Sequence, residues 1–178
     1  MNDFAAALRD LNEAGIRYVI VGGLAVIRHG AVRATKDVDA VVAMDAENLS
    51  RLETLVERWE ATNPDGTPLR SAKLPVGAAL ALRTRHCLVD ILSEQLLAAS
   101  FDDVLGRADV MRIDGVEAPI CSLADLVAMK RATGRSTDQL DLERLSDAHG
   151  ELPDDPPWSS PASADTVGLS ESSSCCLD

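Results

Sequence analysis

Apolar positions at the start of the chain recur every three or four residues, at Phe4, Ala7, Leu8, Leu11 and Ala14. That spacing lines one face of an α-helix, with Asn2 or Asp3 as its N-cap and Gly15 as its stop. The period then changes. Residues 17–21 (RYVIV) are β-branched and aromatic and too few for a helix, so they predict a strand that ends on Gly22 and Gly23. Residues 24–29 predict a short helix closed by Gly30, and residues 36–43 (KDVDAVVA) a second strand. On it Asp37 and Asp39 share a face, because side chains two apart point the same way. A helix over 46–60 follows, with Leu49, Leu52, Leu55 and Val56 as its buried stripe.

Residues 62–68 (TNPDGTP) carry turn chemistry throughout. Strands are predicted at 78–83 and 87–92, then a β-hairpin from 111–113 and 116–120 turning on Asp114-Gly115, whose twist suits paired strands. Ser122 caps a helix that runs to Ala132, Gly134 breaks it, and Ser136 or Thr137 starts another through Leu140 and Leu145. The pattern as a whole predicts one domain over residues 1–150 that combines strands and helices and ends on two helices. Residues 151–178 are rich in Pro and Ser and cannot bury enough apolar surface to offset their ordering entropy, so a disordered tail is expected there.

Composition narrows the function classes. Aromatics make up only 3% of the chain, so the core is aliphatic. The formal charge is −12, half of it from the six acids after Gly150, where there is no Lys or Arg. An acidic chain repels a polyanion at long range, which argues against binding nucleic acid through a broad basic surface. The four cysteines have no CxxC spacing, and Cys87 and Cys121 read as small buried hydrophobes. No apolar run approaches the roughly 20 residues of a membrane span, and Asp3 stands where a signal peptide would carry positive charge. A cytoplasmic protein is the expectation.

The candidate chemistry lies in YVIVGGLAVIRHGAVRATKDVDAVV, residues 18–42. Gly22 and Gly23 between strand and helix let the backbone approach a ligand closely, and the first amides of the helix suit an anion such as a triphosphate. Asp37 and Asp39 would repel each other unless a cation sat between them. Asp90, placed by HCLVDILS between Leu88 and Leu92 on one strand face, is a third carboxylate. If its strand lies beside 36–43, the three form a site for Mg²⁺, a hard ion that keeps phosphate oxygens in its shell. Such a site supports in-line attack on an α-phosphate with pyrophosphate leaving. Arg33 and Lys36, in the loop between the glycines and the aspartates, are candidate phosphate contacts. The structural alternatives are a plain turn at the glycines and an Asp90 salt-bridged to Arg83 or Arg85. His29 is read as ending the short helix with its ring bonded to the following loop, and His86 and His149 as incidental.

Val21-Gly22-Gly23 followed by Asp37-Val38-Asp39-Ala40 resembles the hG[GS] and Dh[DE]h elements of the nucleotidyltransferase superfamily typified by DNA polymerase β. The wider string GGLAVIRHGAVRATKDVD is similar to the bacterial branch of abortive-infection toxins of toxin–antitoxin pairs, and to antibiotic nucleotidyltransferases for lincosamides and aminoglycosides. SLADLVAMKRATGRSTDQLDLERL resembles a later segment of the toxin-like branch, in which a helical Lys contacts the nucleotide phosphates and a following Asp helps to place it. The resemblance covers about residues 4–147. It implies an α/β (α+β mixed) nucleotidyltransferase fold with a short mixed sheet flanked by helices, ATP or another nucleoside triphosphate as substrate, and Mg²⁺ on Asp37, Asp39 and Asp90, with Asp90 also the general base for the acceptor hydroxyl. It also implies phosphate-side roles for Lys130 and for Asp138 or Asp141.

Three functions follow as expectations. The first is transfer of a nucleoside monophosphate to an RNA end, tRNA among them, or to a protein hydroxyl, as by a toxin with an antitoxin partner. The second is modification of a small hydroxylated antibiotic. The third is a catalytically inactive nucleotide- or partner-binding module, against which three mutually repelling carboxylates count.

Overall fold

Asp3 caps the first helix, α1 (Phe4–Glu13), its carboxylate accepting from the Ala6 amide at 2.9 Å. The computed structural model in which this is seen describes residues 2–74 and 76–154. After Gly15, which adopts a left-handed backbone as a helix stop should, the chain enters β1 (Tyr18–Ile20). Next come α2 (Gly22–Arg28), β2 (Asp37–Val42), α3 (Ala46–Arg58), β3 (Ala79–Arg83) and β4 (Leu88–Ser93). A helix α4 (Phe101–Gly106), a hairpin of β5 (Asp109–Ile113) and β6 (Val116–Ile120), and the helices α5 (Leu123–Thr133) and α6 (Ser136–His149) complete it.

One six-stranded sheet has the order β3-β4-β2-β1-β6-β5. Its centre mixes directions: β1 runs antiparallel to β2 and parallel to β6, and β2 runs parallel to β4. Antiparallel hairpins, β3 with β4 and β5 with β6, form the two edges. The mixed, helix-flanked sheet that the resemblance implies is therefore the observed architecture. β1 is buried on both faces, which is why it is apolar throughout. In β2 and β4 burial alternates instead: Val38, Ala40, Val89 and Ile91 face the core, while Asp37, Asp39, Leu88, Asp90 and Leu92 are half-buried on the opposite face. That alternation leaves carboxylates on a face that the central helices cover only in part.

The hairpin turns where expected, with positive φ at Asp114 (45°) and Gly115 (82°), as the tight two-residue connection requires. Its first strand begins two residues earlier than the pattern indicated, at Asp109. The core is mostly aliphatic, with Tyr18, Phe101 and Trp59 as its buried aromatics; Trp59, just past the end of α3, is the largest, and its indole N–H donates to Asp10 at 2.6 Å. Asn48 was missed as an interior residue because it is polar. It is fully buried on α3, accepts from the Arg17 amide at 2.7 Å and donates to the carbonyls of Arg17 and Ala43 at 3.1 and 2.9 Å. It satisfies backbone groups where β1 begins and β2 ends, which no apolar residue could do.

Three expectations need correction. The short helix begins at Gly22, two residues before Leu24, so both glycines belong to its first turn. The stretch between β4 and the hairpin holds a 3-10 turn at Glu94–Leu96 and α4, both too short for a helical period to emerge from sequence. Leu49 is only half-buried, its place in the stripe shared with Asn48. Cys87 and Cys121 are free and buried, and burial pushes the Cys87 thiol up to about 12. The expected disordered tail lies, from residue 155 onward, outside the described residues. Among the described residues no helix is long and apolar enough to cross a membrane.

Candidate active site

The parallel pairing of β2 with β4 sets Asp39 directly opposite Asp90, with Asp37 one step along the same face opposite Leu88. Neighbouring strands lie ~4.8 Å apart, so the carboxylates of Asp39 and Asp90 are brought together by register alone. Neither arginine suspected of neutralising Asp90 does so: Arg83 donates to the Pro64 carbonyl at 2.9 Å, and Arg85 pairs with Asp10 at 3.3 Å. The charges act on one another instead. Burial, then the Asp37 charge and more weakly that of Asp90, push the Asp39 carboxyl up to about 6 against a hydrogen bond from Gly23. Burial and Asp37 raise Asp90 as well.

The two glycines sit against this cluster, and the structure gives them a role the sequence did not reveal. Gly22 is left-handed (φ 61°), and a Cβ there would lie 2.0 Å from Asp39 Oδ2. A Cβ at Gly23 would meet Thr35 Oγ1 at 2.5 Å. Both positions must be bare for Asp39 and Thr35 to fit beneath the first turn of α2. The Gly23 amide donates to Asp39 Oδ2 at 3.3 Å, so this group, expected to point at a ligand anion, is already taken up by a carboxylate of the protein. Thr35 Oγ1 donates to Asp37 Oδ1 at 3.0 Å and fixes that side chain.

Opposite the sheet stand α5 and α6. Ser122 caps α5 and Gly134 ends it in the left-handed conformation, so Lys130 falls in its last turn. The Lys130 ammonium donates to Asp138 at 3.0 Å and Asp141 at 2.8 Å, both on α6. Asp141, 1% exposed, also receives Arg33 at 2.5 Å and Arg144 at 3.4 Å. Burial alone would raise Asp138, but hydrogen bonds from Thr133 and Lys130 hold it below its ordinary value. Asp141, the less prominent of the two aspartates in the sequence, is thus the more connected. Its signal was the three-residue spacing from Asp138, which puts both on one helix face.

These groups border one cleft of about 280 Å³. Gly22, Gly23, Arg33, Asp37, Asp39, Asp90, Lys130 and Asp138 all line it, joined by Asp141 and by Leu92, Leu126, Met129, Thr133, Arg135 and Thr137, which sequence reasoning did not single out. Lys36 does not belong with them. It lies just before β2 begins, is exposed and is outside the lining. His29 is buried, and its Nε2 donates to the Cys121 carbonyl at 2.8 Å, tying α2 to the start of α5 rather than to the loop that follows it. His149, read as incidental, likewise donates to the His29 carbonyl at 2.6 Å.

The carboxylates offer hard oxygen donors and carry uncompensated repulsion, both of which suit a divalent cation. Among the described residues, however, no group of three or more His, Cys, Asp or Glu side chains is drawn together as a metal site. An open arrangement fits an ion that arrives with phosphate oxygens and water of its own, as Mg²⁺ does.

A family model described as nucleotidyltransferase of unknown function (DUF6036) matches residues 2–147. Solved structures agree in fold. An antigenic nucleotidyltransferase-like protein from Paracoccidioides brasiliensis superposes with a TM-score of 0.53 at 19% identity, over 85% of this chain and 76% of that one. A candidate nucleotidyltransferase of Thermotoga maritima gives 0.55 at 14% identity, over 81% and 90%. ANT(2")-Ia in complex with adenylyl-2"-tobramycin gives 0.52 at 13% identity, over 80% and 85%. No curated protein matches the chain.

Proposed function

The chain belongs to this nucleotidyltransferase family and has the nucleotidyltransferase fold, and from that premise we propose that it transfers a nucleoside monophosphate from a nucleoside triphosphate to an acceptor hydroxyl. The observation that carries the reading is the β2–β4 register, which sets Asp39 beside Asp90 with Asp37 on the same face, next to the bare turn at Gly22 and Gly23. Asp37, Asp39 and Asp90 would hold Mg²⁺. When bound, the ion would neutralise phosphate charge and polarise the α-phosphate.

The chain's own groups supply the rest. Asp90, raised by its surroundings, is the base nearest the open β3 edge and accepts the proton of the acceptor hydroxyl as its oxygen attacks the α-phosphorus. The bond from the α-phosphorus to the oxygen bridging to the β-phosphate breaks, and pyrophosphate leaves. Arg33 and Lys130 supply positive charge on the phosphate side, with Asp138 and Asp141 orienting them. Leu126 and Met129 give the nucleoside an apolar wall.

The acceptor we propose is an RNA end, tRNA among them, or a protein hydroxyl, as for the toxin of a toxin–antitoxin pair acting in the cytoplasm. The resemblance of residues 122–145 to the toxin-like branch supports this choice. A second reading, an antibiotic as acceptor, is favoured by the fold shared with ANT(2")-Ia, the antibiotic-resistance factor whose structure holds adenylyl-2"-tobramycin. Each α-labelled NTP, incubated with Mg²⁺ and total tRNA, cell protein or aminoglycosides beside Asp39→Ala, separates them. Label on tRNA or protein supports the first reading, and label on the drug the second. If wild type labels nothing and binds NTP no better than Asp39→Ala, the chain is an inactive module.

A further inference from the structure

Of the cations that line the cleft, Arg33 and Lys130 both bond Asp141, and the protein holds them very differently. Lys130 is 7% exposed at its side chain and sits between two carboxylates, Asp138 at 3.0 Å and Asp141 at 2.8 Å. Withdrawing it would leave both aspartates short of a partner in a desolvated site, a costly state. The Arg33 side chain is 26% exposed. Among the described residues its planar fork makes two hydrogen bonds, to Asp141 at 2.5 Å and to the Ala34 carbonyl at 3.3 Å, of the five N–H groups it carries. Its guanidinium carbon lies 3.6 Å from where a Cβ on Gly23 would stand, and its charge is felt at Asp39. It therefore lies over the glycine turn, between the carboxylates of the sheet and Asp141.

If Arg33 swings away, Asp141 still has Lys130 at 2.8 Å and Arg144 at 3.4 Å. The buried carboxylate is never left alone. Asp138 keeps Lys130, the Thr133 hydroxyl at 2.7 Å and Arg135 at 3.6 Å. Release of Arg33 thus takes one bond from one aspartate, whereas release of Lys130, itself nearly buried, takes a bond from each of two.

Resting on the nucleotidyltransferase reading, we propose that Arg33 is an exchangeable phosphate ligand, parked on Asp141 in the empty cleft and transferred to the triphosphate when the nucleotide binds. Lys130 stays on Asp138 and Asp141 throughout and acts as a fixed positive charge. Asp141 is a positioning residue: it aims Arg33 at the glycine turn while the cleft is empty and holds Lys130 once Arg33 has left. A bidentate guanidinium suits a phosphate better than a single ammonium does, so the exchange favours the nucleotide.

The test observes both cations directly. Full-length protein labelled at Arg and Lys with ¹⁵N is titrated, with Mg²⁺ present, with the α,β-methylene analogues of ATP, CTP, GTP and UTP, in which the bond to be broken is replaced. Arg33→Lys and Lys130→Arg assign the signals. On binding the preferred analogue, the Arg33 guanidinium resonances should move to a phosphate-bound position while the Lys130 ammonium resonance stays. Arg33→Gln should weaken the analogue about ten-fold or more without lowering Tm appreciably, and Arg33→Lys should restore part of the affinity. The proposal fails if the analogue binds and Arg33 does not respond, or if Lys130 shifts as much as Arg33. If none of the four analogues binds to wild type, the nucleotidyltransferase reading falls first and takes this inference with it.

Discussion

On the sheet wall of the cleft, Asp39 and Asp90 have their carboxyls raised by burial and by the charge of Asp37, and among the described residues no Lys or Arg is bonded to either. On the helical wall, across the same space, Asp138 lies below its ordinary value and Asp141 carries three cations. The two walls share a residue type and differ in what surrounds it. Where the chain supplies counter-charges, a buried aspartate is a structural fastener. Where it withholds them, repulsion remains that a proton or an outside cation can relieve. On the function proposed above, the sheet wall would serve metal-assisted chemistry and the helical wall would hold the phosphate end in place.

The largest effect should separate the walls by activity. Asp90→Asn, removing the base, is expected to lower turnover by ~10²–10⁴-fold while Tm stays level or rises, since a repelling charge has gone. Steady-state kinetics beside a thermal melt checks this, and a lower Tm would mean Asp90 is a fastener too. Lys130→Met should behave in the opposite way. It leaves Asp138 and Asp141 short of charge in a buried site and should cost about 3–5 kcal/mol of stability, read from denaturant unfolding.

How far the two walls could be read from the chain differs in the same sense. Strand alternation and the D-x-D spacing placed Asp37 and Asp39, and an apolar strand around Asp90 made its partner strand recognisable, because local periodicity determines which face a side chain occupies. The order of the strands followed only from the assembled sheet, yet the residues concerned were already identified. The helical wall was harder. Arg33 and Asp141 are 108 positions apart and meet only when α6 folds back on the loop after α2, and nothing local in either segment signals that pairing. Lys36 shows the opposite case, a basic residue chosen for its place in the loop that the fold leaves outside the cleft lining. The glycines were found for their chemistry, but their fit against Asp39 and Thr35 needed three dimensions.

Gly22→Ala probes the turn that joins the walls. A left-handed alanine costs about 1–2 kcal/mol, and a methyl pressed on Asp39 Oδ2 adds about 1–3 kcal/mol of overpacking, so the variant should melt earlier and also lose cation binding. A variant that loses stability alone would detach the glycine from the site. The smallest effect is in pH. The Asp39 carboxyl is raised in the folded state, so its contribution to stability is greatest below its ordinary value of 3.8 and is lost as pH rises to about 6. Metal-free protein should therefore lose about 1.4 kcal/mol per pH unit across that window from this group. Asp39→Asn should flatten the slope, and divalent cation should offset the loss at higher pH, where the carboxylate is free to bind it.

The central claim is that three carboxylates from two parallel strands, together with a nucleotide, hold a divalent ion. Mn²⁺ titrations followed by electron paramagnetic resonance test it most directly, with and without an α,β-methylene NTP, on wild type and on the Asp39→Asn/Asp90→Asn pair. The account predicts that the nucleotide analogue makes wild type retain Mn²⁺ and that the double variant does not retain it. Equal Mn²⁺ retention by the two proteins would contradict it.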